Sequence, residues 1–110
     1  MEGELSVARF DGGTLVLACN REAGKVSMSR RGTASGLVPM TILTSSGERS
    51  ITATASPGPP PHVGASFPAR DSILDAMAFS RGRFAVETAG MATLYVPSWP
   101  EISRVIEDCR

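Results

Sequence analysis

The stretch "SWPEISRVIEDCR", Ser98 to Arg110, decides how the chain is organised. Ile102, Val105, Ile106 and Cys109 recur at i, i+3, i+4 and i+7, which sets them on one face of an α-helix. Arg104, Glu107, Asp108 and Arg110 mostly fall elsewhere. Ser98 with Glu101 three residues on has the spacing of a capping box, and Pro100 is tolerated in a first helical turn. The pattern predicts a helix over 99–109 with Cys109 in its apolar stripe. Such a helix needs an apolar surface to cover.

The first half of the chain supplies that surface as an antiparallel meander. "ELSVARF" and "TLVLACN" flank "DGG" at Asp11–Gly13, an Asp-Gly hairpin signal. Leu15, Leu17 and Cys19 then share a strand face by the period of two. In "GKVSMSRR", Val26 and Met28 alternate with Lys25, Ser27 and Ser29; in "VPMTILT", Val38, Met40 and Ile42 align. "SSG" at Ser45–Gly47 turns the chain into "RSITATA". The segment Ser56–Pro68, "SPGPPPHVGASFP", holds five prolines and reads as a long connection that crosses an edge or joins two sheets. Pro57 and Pro60 also have PxxP spacing.

Beyond it, "ARDSILDAMAFSRG" predicts a short helix near 71–79, with Asp71 as N-cap, Ile73, Leu74 and Met77 as the apolar stripe and Gly82 as the stop. "RFAVET" and "ATLYVP" form a second hairpin about "AGM", with Phe84, Val86 and Thr88 facing one way and Arg83, Ala85 and Glu87 the other. The reading is a single α+β domain over 1–110. It is mainly antiparallel β, a sandwich or strongly curved sheet, with a short helix and a C-terminal helix.

Cys19 and Cys109 both point at the predicted core, so a disulfide between them is expected, two buried reduced thiols being the alternative. The opening "MEGELSVARF" has neither a basic n-region nor an apolar h-region. With the cysteines, this gives an expectation of a periplasmic or extracellular chain whose leader is missing from this sequence; a cytoplasmic location is the alternative. No apolar run approaches the roughly 20 residues of a membrane span.

A formal net charge of zero excludes bulk attraction to a polyanion, so no specific nucleic-acid partner is expected. The six aromatics, four Phe with one Trp and one Tyr, are too few for an obvious base-stacking platform. Two cysteines and one histidine at unsuitable separations cannot make a four-ligand zinc site, and no phosphate-binding glycine loop is present, so neither metal nor cofactor is expected. Two basic turns, "SRRG" and "SRGR", offer Arg30, Arg31, Arg81 and Arg83 as a candidate anion or partner patch. The function expected is a non-enzymatic envelope domain that binds a protein or an anionic surface component, or is a structural part of an assembly, using those arginines and neighbouring edge strands. The alternative is a small hydrolase or transferase. It would use Asp71 and Asp75, which are spaced i, i+4, or His62 in the proline-rich segment.

"DSILDAMAFSRGRFAVETAG" and "LYVPSWPEISRVIEDCR" together resemble small exported proteins of alphaproteobacteria that have no assigned activity. That resemblance covers Asp71 to Arg110; it implies an envelope location and transfers no catalytic residue. The general plan is also similar to the invasion-associated locus B proteins, whose fuller cysteine pattern is absent here.

Overall fold

A computed structural model describes residues Ser6 to Arg110; Glu4 and Leu5 of the first predicted strand lie outside the described residues. The elements are β1 (Val7–Phe10), β2 (Leu15–Asn20), β3 (Lys25–Arg31), β4 (Leu37–Thr44), β5 (Gly47–Ser56), β6 (His62–Pro68), α1 (Ser72–Ala78), β7 (Arg83–Thr88), β8 (Leu94–Pro97) and α2 (Pro100–Cys109). The eight strands form one sheet in the order β1-β2-β3-β6-β5-β4-β7-β8, every pair antiparallel, curled into a nearly closed barrel. The fold is therefore mainly antiparallel β with two helices, as the periodicities require.

Alternation decides which side chains fill the barrel. Leu15, Leu17 and Cys19 of β2, Val26 and Met28 of β3, Met40 and Ile42 of β4, and Phe84 and Val86 of β7 are all buried. The connection runs from Asp11 to Thr14, one residue longer than the "DGG" expected between the two strands. Asp11 (φ 54), Gly12 (φ 66) and Gly13 (φ 93) all take left-handed conformations there, which glycine adopts freely and aspartate more readily than most residues.

Both helices lie at one end of the barrel. α1 follows β6 and α2 follows β8, and the closing residues of those strands, Pro68 and Pro97, stand opposite the opening residues Lys25 and Arg83. β5 and β6 pair only from Thr54–Gly64 to Ser56–His62 and diverge towards this end. α1 bridges the divergence. Its N-cap Asp71 accepts from the Ile73 amide (3.0 Å) and pairs with Arg49 of β5 (3.0 Å). α2 packs chiefly on β2, and also on α1, β1 and β3, and buries Ile102, Val105 and Ile106.

Two readings of the sequence need correction. Residues 62–68 are a central strand, paired with β3 on one side and β5 on the other, rather than part of a long connection. The prolines crowd into Pro57–Pro61, and Pro68 is the last residue of the strand, so the ladder between them keeps its donors. The backbone also runs close there: a Cβ on Gly64 would sit 3.0 Å from the Met28 carbonyl oxygen. Nor does Ser98 cap α2. Its hydroxyl donates to the Met77 carbonyl of α1 (3.0 Å), and the residue before the helix is Trp99, which makes no side-chain cap bond. A tertiary partner outcompeted the local one.

Candidate functional site

Cys19 and Cys109 are joined in a disulfide, with Cα atoms 5.5 Å apart. Cys19 is at full burial in β2, and Cys109 closes the stripe of α2. Next to it, Arg110 donates to the Asp75 carboxylate (2.9 Å) and to the Ala69 carbonyl (2.6 Å). The hydrogen bond to Asp75 raises the pKa of that guanidinium above its ordinary value. The tail is thus fixed both covalently and by charge to β2 and the α1 region.

The four candidate arginines divide between the two ends of the barrel. Arg30 is not on a turn. It continues the inward face of β3 after Val26 and Met28, is 7% exposed, and donates through Nη1 to the Ala92 carbonyl (2.6 Å). Burial lowers its pKa. Its Nε and the buried Thr88 hydroxyl have no hydrogen-bond partner among the described residues. Arg31, the next residue, is exposed and lies by the β1–β2 turn, where a Cβ on Gly13 would meet its Nη2 at 3.2 Å.

Arg81 and Arg83 stand at the helical end and are exposed. β7 runs from Arg83 to Thr88, so about 16 Å of strand, at roughly 3.3 Å per residue, separates them from the hairpin that holds Arg30. The structure therefore brings Arg81 and Arg83 together and leaves Arg30 and Arg31 elsewhere. Neither Arg81 nor Arg83 pairs with a carboxylate among the described residues.

Around Arg81 and Arg83 gather side chains that the sequence reading left unassigned. Tyr95 of β8 is 63% exposed, with the Arg83 guanidinium 4.8 Å above its ring centroid. Trp99 is 57% and Phe79 77% exposed. The segments carrying them are tied together: Ser98 donates its amide to Gly82 (3.1 Å) and its hydroxyl to Met77, and Ser80 donates to the Arg83 carbonyl (2.7 Å). Trp99 also leans on Phe10 of β1, ring centroids 6.3 Å apart. Half of the chain's six aromatics are thus exposed at the helical end, while Phe10, Phe67 and Phe84 are buried. One signal for this was available: Tyr95 alternates with the inward Val96.

The residues of the hydrolase reading do not converge. Asp71 is the N-cap of α1 and pairs with Arg49, and Asp75 pairs with Arg110, both at the helical end. His62 opens β6 at the opposite end, where its Nδ1 lies 2.9 Å from the Pro60 carbonyl oxygen, a distance at which it donates. It borders a shallow depression of about 480 Å³ that also includes Ser27, Ser29, Thr54, Ser56 and Ser66. No group of three His, Cys, Asp or Glu side chains gathers as a metal site among the described residues. No helix among them is long and apolar enough to cross a membrane.

Comparison of the chain with protein-family models, curated proteins and solved structures finds no match.

Proposed function

We propose that the chain is a non-enzymatic binding domain of the cell envelope, periplasmic or extracellular, that contacts a partner protein through the helical end of its barrel. The observation that carries this reading is the exposed surface of Phe79, Tyr95 and Trp99 with Arg81 and Arg83. Tyr, Trp and Arg are the residues on which protein contacts concentrate their energy, and Arg83 is already aligned by the Tyr95 ring. The Cys19–Cys109 disulfide supports an oxidising compartment, since reducing compartments keep most thiols free. The ion pairs of Asp71 and Asp75 give both carboxylates structural work, which favours binding over hydrolysis.

A photo-crosslinking residue at position 95, compared with one at the outward-facing, half-buried position 29, tests this in cells that make the protein naturally. A discrete protein adduct from position 95 and none from 29 is expected. Equal labelling at both positions, or none at either, would contradict it. Alkylation of the same cells without reductant is expected to leave both cysteines unmodified.

A further inference from the structure

The two outer strands of the sheet differ in how their free edges end, and the geometry points to β8 as the acceptor of an added strand: we propose that it pairs with an extended acidic segment of a partner protein. The proposal rests on the reading of the helical end as a protein-contact surface and names the chemistry of the partner.

The ladder fixes which backbone groups are available. In an antiparallel pair, residues opposite one another alternate between exchanging hydrogen bonds and being flanked by them. The bond from the Ser98 amide to the Gly82 carbonyl flanks the Arg83–Pro97 pair. Phe84–Val96 is therefore the bonded pair and Ala85–Tyr95 the next flanked one. It follows that the Tyr95 amide and carbonyl, and the Pro97 carbonyl, point away from β7. Tyr95 offers a donor and an acceptor to an incoming strand on the side where β8 has no neighbour.

The same logic at β1 gives a partly occupied edge. The bond from the Cys19 amide to the Ser6 carbonyl (2.8 Å) flanks Val7–Ala18, so Val7 and Arg9 direct their backbone groups outward. There, however, Arg104 of α2 donates to the Val7 carbonyl (2.9 Å), and α2 packs against the strand. Among the described residues β8 has one strand neighbour, β7, and no side chain bonds to the Tyr95 backbone. An unpaired edge is a template for another chain.

Charge selects the partner. Arg83 lies beside the Tyr95 rung and Arg81 two residues before it, neither with a carboxylate partner among the described residues. Carboxylates on alternate positions of an added strand would meet their guanidinium forks, the geometry in which Arg–carboxylate pairing is strongest. A second copy of this chain fits poorly, because antiparallel β8–β8 pairing would bring Arg83 towards its own counterpart. Pro97, lacking an N–H, ends the ladder and keeps the added segment short.

The test uses the full oxidised chain and a capped eight-residue peptide alternating Glu and Val, titrated while the emission of Trp99, the only tryptophan, is followed at low salt. A saturable change is expected. Binding about tenfold weaker is expected for a Lys–Val peptide, for a Glu–Val peptide N-methylated along one edge, and for Arg83→Glu and Tyr95→Pro. Tyr95→Pro leaves the ladder to β7 whole because that amide points away from it; Tyr95→Val, which keeps the amide, is expected to bind more tightly than Tyr95→Pro. Equal binding of the two peptides, unchanged binding by Tyr95→Pro, or self-association in place of peptide binding would overturn the proposal. Crosslinking at position 95 combined with unchanged peptide binding by Tyr95→Pro would sink the added strand alone. Absence of both crosslink and binding would sink the contact surface as well.

Discussion

The outer strands β1 and β8 both belong to short hairpin pairings and both direct backbone groups outward, yet they meet different surroundings. Along β1 lies α2, tethered by the Cys19–Cys109 bond and by Arg104 on the Val7 carbonyl. β8 has Arg83, Tyr95 and Trp99 exposed about it. In chemical terms the first edge is partly occupied, by the Arg104 bond and the packing of α2, and the second is left with groups suited to recognition. α2 leaves the end of β8 yet packs on β1, β2 and β3, so the staple to β2 holds it on the β1 side of the seam between the two outer strands.

The sharpest way to break this contrast is to free the partly occupied edge. Replacing Cys19 and Cys109 with Ala removes a bridge across a sequence separation of 90 and should cost on the order of 4–5 kcal/mol if the unfolded-chain entropy dominates. Urea midpoints with and without reductant measure it, and amide exchange should then quicken first in α2. Ile106→Ala cuts the same lid from its apolar side. With Ile106 at 1% exposure, a loss of about 2–4 kcal/mol is expected in the same assay. Asp71→Ala removes the α1 cap and the Arg49 pair, which at a half-exposed site should cost about 1 kcal/mol. Arg30→Met should be near neutral or stabilising in thermal unfolding, because a buried cation with no carboxylate partner among the described residues gives way to an apolar side chain of similar length. The smallest change is expected on the open side. Phe79→Ser, at 77% exposure, should alter stability by no more than about 0.5 kcal/mol while weakening any contact made there.

The α2 side was legible in the sequence because period-two and period-3.6 patterns carry burial directly. Leu15, Leu17 and Cys19 on one strand face and Ile102, Val105, Ile106 and Cys109 on one helix face turned both cysteines towards the core, and the docking of α2 on β2 then made them neighbours. Local signals failed where a distant partner intervened. The Ser98 hydroxyl went to Met77 of α1, which no spacing within the tail could reveal. Strand β6 was hidden by prolines that stop at Pro61, immediately before it begins. Arg30 looked like a turn residue because arginine is seldom interior; only its in-phase position after Val26 and Met28 marked it as inward. The aromatic surface was harder still, since Phe79, Tyr95 and Trp99 lie at one end of the barrel only because β8 and the two helices share it.

Residue-resolved amide exchange of the free oxidised chain tests the difference between the edges most directly. Tyr95 should exchange close to the rate of an unprotected amide, while Leu94 and Val96, whose amides face β7, should be slowed by orders of magnitude; adding the Glu–Val peptide should then slow Tyr95. A Tyr95 amide already as protected as that of Val96 in the free chain would mean that the β8 edge is covered, and would contradict its role as the open edge.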